Sequence, residues 1–136
     1  DIVRLWPGPA GIVGQFQAGR LYKDGGLVIS ASEPAVKDRK RLSFSGVISI
    51  AVAMEGRGAM ADEPVVEFTG IPEQAGDHGS MFDLIVDAVH TGFESLPKPR
   101  RRDPDQVEEA IRRSVRGAVN AAWGKKPTCH VLVLQI

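Results

Sequence analysis

The stretch AAWGKKPTCHVLVLQI, residues 121–136, decides how this chain folds. Its first residues continue a helix-like pattern, Gly124 is a natural helix stop, and Lys125-Lys126-Pro127 makes a short step. The run from Thr128 to Ile136 then has the apolar character of a strand. A strand in that position needs a partner made earlier in the chain, and the helix before it must bring it back there.

The clearest earlier strand is GVISIAVAM, residues 46–54. Alternation puts Ile48, Ile50, Val52 and Met54 on one face and Val47, Ser49, Ala51 and Ala53 on the other. Large side chains on one side imply packing on helices. The small-residue side implies thin cover, or a close approach by something else. EGRGAMADE (55–63) reads as a loop, and VVEFTGI (65–71) as a second strand with Val66 and Phe68 on one face and Glu67 and Thr69 on the other.

Two helices separate these strands from the last one. Ser80 is a good N-cap with Asp83 three residues on, close to a capping box. Phe82, Ile85, Val86, Val89 and Phe93 form an apolar stripe at helical spacing, and Pro97 ends it. The second helix begins at Asp103-Pro104-Asp105, a cap, a proline at the first helical position and an acid at the positive helix end. Its stripe is Val107, Ala110, Ile111, Ser114 or Val115, Ala118 and Ala122. Glu108 and Glu109 each precede an arginine by four residues, Arg112 and Arg113, the favourable order for ion pairs.

The first third reads differently. Ile2–Leu5, PGPAG, IVGQF and RLY are strand fragments cut by turns, and KDGG (23–26) is a hairpin signal with Asp24-Gly25 at its tip. Residues 31–43, ASEPAVKDRKRLS, read as a polar, basic connector. The expected fold is therefore α+β: a small two-layer domain, β-β-α-α-β, with a three-stranded sheet covered on one face by two helices and preceded by an extended strand/turn linker. Residues 1–43 would be linker and the tail end of a neighbouring domain, and residues 44–136 a C-terminal α+β domain.

Composition narrows the function. With 136 residues, 43% hydrophobic, 25% charged and formal net charge zero, the chain suits one soluble domain with no global field for nucleic acid or membrane. A single cysteine, Cys129, excludes an internal disulfide framework and fits a reducing cytoplasm. No apolar run approaches a membrane span. The opening at Asp1 rather than Met leads us to expect a piece of a larger protein.

Few residues offer chemistry. His78, His90 and His130 are too scattered for a local ligand motif. The DHG of 77–79 with Glu73 nearby is at most a weak metal site against an ordinary loop. Cys129 and His130, adjacent in a strand, point to opposite faces and make a poor catalytic dyad. No catalytic, cofactor or metal residue is assigned. Basic residues are the stronger signal: Lys98, Arg100, Arg101 and Arg102, then Arg112 and Arg113, are candidate RNA contacts, although four nearby acids and the lack of interleaved aromatics favour a solvated surface. Residues 37–41 and Lys125-Lys126 are lesser basic clusters. Trp123, at the helix end, is either a core seal or a partner anchor.

The order of these segments resembles the C-terminal part of the bacterial ribonuclease J family. VEEAIRRSVRGAVNAAWGKKPTCHVLVLQI is similar to its final helix with paired arginines, aromatic end, KKP or RRP step and terminal strand. VKDRKRLSFSGVISIAVAM looks like its connector and first strand, and DIVRLWPGPAGIVGQFQAGRLYKDGG like the segment leaving its metallo-β-lactamase domain. ADEPVVEFTGIPEQ departs from the SGPEIITRGF-like strand of many members. The resemblance implies a parent that is a zinc-dependent 5′-to-3′ exo- and endoribonuclease, with its zinc ligands in an H-x-H-x-D-H motif that this chain lacks. This chain would be a non-catalytic accessory domain promoting homodimer or higher assembly and full activity. The alternatives are an RNA-binding module that guides substrate and a docking domain for partners in RNA degradation.

Overall fold

The computed structural model describes residues 20–136, so Ile2–Leu5 and IVGQF lie outside the described residues. It divides into two units between Arg39 and Lys40. In the first, β1 (Leu21–Asp24) and β2 (Leu27–Ser30) form an antiparallel hairpin with Gly25-Gly26 as its two-residue loop. Arg39 grips Asp24 through two hydrogen bonds of 3.0 and 2.9 Å, and this holds the Asp24 carboxyl below its usual range.

The expected connector over residues 31–43 is instead largely helical: α1 runs Pro34–Ser45, with the division between the units inside it. Pro34 occupies the first helical position and Ala, Lys, Arg and Leu are strong helix formers. The helix escapes periodicity analysis because it has no apolar stripe; only Ser45 on it is buried.

The second unit matches the expected two-layer α+β architecture. The strands are β3 (Val47–Met54), β4 (Val65–Thr69) and β5 (Thr128–Gln135). In order β4-β3-β5, β4 runs antiparallel to β3 and β5 parallel to it. Between them come α2 (Met81–Glu94), a 3-10 turn (Lys98–Arg102) and α3 (Pro104–Trp123). A parallel neighbour requires a crossover, and the helix pair supplies it. The terminal strand thereby finds its partner in β3, with Val47 opposite Thr128 and Met54 opposite Gln135.

Local signals set the helix ends. Ser80 Oγ accepts from Asp83 N at 3.1 Å, Asp103 Oδ1 accepts from Asp105 N at 3.0 Å, and Gly124 closes α3 in the left-handed conformation. Ile48, Ile50, Val52 and Met54 are buried against Ile85 and Val89 of α2 and Val107, Ile111, Val115 and Val119 of α3. The stripe of α2 is displaced from the expected one: Phe82 is 46% exposed, and Met81, Ala88 and Gly92 face inward. Gly92 is there because α3 comes too close for a side chain; an added Cβ would lie 2.7 Å from Ser114 Cβ and 2.8 Å from Ala110 O. Ser114 Oγ donates to Ala88 O at 2.6 Å across the same contact. No helix of the described residues is long and apolar enough to cross a membrane.

Candidate interaction surface

Both helices lie on one side of the sheet, and among the described residues of this unit its other face is left uncovered. Strand register lays out that face as rows. Glu67, Ser49 and His130 share one row, Val65, Ala51 and Leu132 the next, and Ala53 and Leu134 the one after. The central column is small and the flanks are larger. The result is a shallow hollow of about 470 Å³ along β3, lined on its flanks by Val65, Glu67, His130 and Leu132. Val65 is 63% exposed, Leu132 58% and Leu134 49%. Isolated apolar residues on a surface are ordinary, whereas a contiguous apolar row on a sheet face is a candidate interaction site. Among the described residues, β4 and β5 also each leave one edge unpaired.

Cys129 and His130 separate as alternation requires: the cysteine is buried toward the helices and the histidine is exposed on the open face. Burial pushes the Cys129 thiol up to about 11, so it is a poor nucleophile near neutral pH. His90 pairs with Glu63 at 3.0 Å. The His78 ring lies 3.2 Å from Ala75 O within the loop before α2. Among the described residues, no three His, Cys, Asp or Glu side chains converge, so they do not fit a zinc centre.

The basic candidates divide by how much of their charge is already engaged. Arg101 donates to the carbonyls of Leu96 (2.9 Å) and Glu94 (3.1 Å) and lies 5.1 Å from the Phe93 ring centre, tying the basic turn to the end of α2. Arg112 bonds Glu108 at 2.5 Å and Glu109 at 2.8 Å, and Arg113 bonds Glu109 at 3.2 Å. Its hydrogen bond to Glu108, foremost, raises the Arg112 guanidinium above its ordinary value. Lys98, Arg100 and Arg102 are exposed and have no carboxylate partner among the described residues. Sequence reading missed Arg57, which lines a hollow with Lys98, Arg101 and Arg102. The glycine-flanked loop EGRG was the only local signal, and it says nothing of a contact so distant along the chain.

Trp123 is half-buried and packs against the core. Lys125 sits beside it, 5.0 Å from its ring centre and 4.4 Å from that of Phe44, while donating to Phe44 O at 2.9 Å. Those contacts secure the end of α3 and the step into β5.

The family model for the ribonuclease J C-terminal domain matches residues 34–136. Ribonuclease J of Sinorhizobium meliloti is 37% identical over 136 residues, all of this chain and 24% of the relative. Ribonuclease J of Corynebacterium glutamicum is 28% identical over 134 residues, 98% of this chain and 18% of the relative. That of Mycolicibacterium smegmatis is 26% identical over 135 residues, 98% of this chain and 23% of the relative. The chain thus spans a quarter or less of the length of the curated relatives it matches. From the match over both helices and all three strands of the sheet, the chain belongs to the ribonuclease J C-terminal domain family.

Proposed function

We propose that this chain is the non-catalytic assembly domain of a ribonuclease J, and that it pairs with a second copy of itself through the open sheet face. The observation that carries this reading is the exposed row Val65–Ala51–Leu132, continued by Leu134. The rows of this face can meet those of a second copy. A two-fold axis along β3 sets Glu67 of one copy opposite the partner's His130, and Val65 opposite the partner's Leu132. Isologous two-fold contacts of this kind are the commonest way to close such a surface. Covering each half-exposed Val or Leu contributes on the order of 1 kcal/mol, so six from two copies are comparable with the cost of association. The pairing should therefore be reversible.

In the whole enzyme this domain holds subunits together and supports full activity. Zinc and RNA cleavage, exonucleolytic and internal, belong to the catalytic part of the parent. Its lone, buried cysteine suits a reducing cytoplasm. Sedimentation equilibrium of the chain over roughly a hundredfold range of concentration tests the reading. A reversible monomer–dimer equilibrium that Leu132→Lys abolishes is expected. A monomer at every concentration would sink it.

A further inference from the structure

A second hollow, of about 430 Å³, lies beside the loop that follows β3, and its lining holds Arg57, Lys98, Arg101 and Arg102 with no carboxylate. Two segments distant in sequence make it. Gly58 is buried with φ +85°, and a Cβ there would stand 3.3 Å from Arg102 Cγ and 3.4 Å from the Arg101 carbonyl carbon. The loop is closed on itself by Glu55 N donating to Ala59 O at 2.8 Å and Gly58 N to Glu55 O at 3.0 Å. Close packing of Gly58 on the Arg101-Arg102 segment therefore brings Arg57 to the basic turn.

Converging like charges is unfavourable unless an anion accompanies them. The carboxylate adjacent in sequence is engaged elsewhere: Asp103 accepts from Asp105 N at 3.0 Å and Gln106 Nε2 at 3.2 Å. Arg101 is occupied by the end of α2, but Arg57, Lys98 and Arg102 are exposed with no ion pair among the described residues. Met60, Phe93 and Pro99 make the rest of the lining largely apolar. Two guanidinium forks and an ammonium suit phosphate oxygens, and apolar walls suit a flat body attached to that phosphate. The volume falls within the roughly 300–1,000 Å³ of small-ligand sites.

We infer that this hollow binds a nucleotide phosphate, either of a free mononucleotide or of one unit in a single-stranded RNA. Arg57, Arg102 and Lys98 hold the phosphate, while Met60 and Pro99 border the sugar and base. The site is independent of pairing through the sheet face. Isotope-labelled chain is titrated with adenosine monophosphate and, separately, with a short oligouridylate, with sodium chloride of equal ionic strength as control. Saturable shifts of the Gly58 and Arg102 amides are expected, and Arg57→Ala and Arg102→Ala should each weaken binding on the order of tenfold, as loss of a charged hydrogen bond does. Arg113→Ala should leave it unchanged. Response to the mononucleotide identifies free nucleotide as sufficient, and response to the strand alone identifies RNA as the source. Shifts matched by sodium chloride, or insensitive to both substitutions, overturn the inference.

Discussion

Gly92→Ala should destabilise the domain, although the same change in most helices stabilises it. The added Cβ would stand 2.7 Å from Ser114 Cβ, 2.8 Å from Ala110 O and 3.2 Å from Ile111 Cα. Carbon–carbon contacts normally settle at about 3.5–4.0 Å, so α2 and α3 would have to part by nearly 1 Å. Overpacking of this kind costs about 1–3 kcal/mol. Parting the helices also strains the 2.6 Å bond from Ser114 Oγ to Ala88 O, a loss of about 1 kcal/mol. Better helix propensity returns about 1 kcal/mol. The net loss is about 1–3 kcal/mol, or a Tm lower by roughly 4–15 °C. Gly117→Ala is the matched control: it lies within α3 with nothing within 4 Å of the added Cβ, and should gain up to about 1 kcal/mol. Urea unfolding of the three chains at one fixed concentration measures both signs. If Gly92→Ala were neutral or stabilising, the close helix contact would be refuted.

Three further outcomes follow from local geometry. Asp103→Ala removes the carboxylate that accepts from Asp105 N and Gln106 Nε2, and should lower stability by about 1 kcal/mol in the same assay. Cys129 is held neutral in the fold, its pKa rising from 9.0 to about 11. The folded state then binds more protons than the unfolded state between those values, so stability should fall as pH rises from about 9 to about 11. Cys129→Ala should flatten that part of the profile, and an unchanged slope would show that another group sets it. The native thiol should likewise react far more slowly with iodoacetamide at pH 8 than the unfolded chain does.

What the sequence revealed, and what it concealed, follows from how far each determinant acts. The alternation of β3, the Ser80 and Asp103 caps, Pro104 and Gly124 are local, and each does in the fold what its residue type suggests. The return of β5 to β3 was legible because a final strand needs a partner and two helices precede it. α1 was hidden by its own polarity, since a helix held by propensity has no apolar period to read. Phe82 reads as inward because it is large and apolar, yet Gly92 and Ala88 fill the inner face where the helices touch. The arginines illustrate the same limit. The pairing of Arg112 and Arg113 with Glu108 and Glu109 could be read from spacing, whereas Arg101 turning back to the end of α2, and Arg57 arriving beside it, depend on tertiary contact. The open face itself was foreseeable as Val47, Ser49, Ala51 and Ala53; its flanks were not, because they come from β4 and β5 through register.

Assembly through that face is tested most directly by isotope-filtered NOE spectroscopy on a mixture of labelled and unlabelled chains at a concentration where dimers dominate. Intermolecular NOEs should join the methyl groups of Val65 and Leu132, and involve Ala51 and Leu134. Intermolecular NOEs confined to Phe82, Phe44 or the helix surfaces would contradict assembly through the sheet, as would their absence from every methyl of β3, β4 and β5.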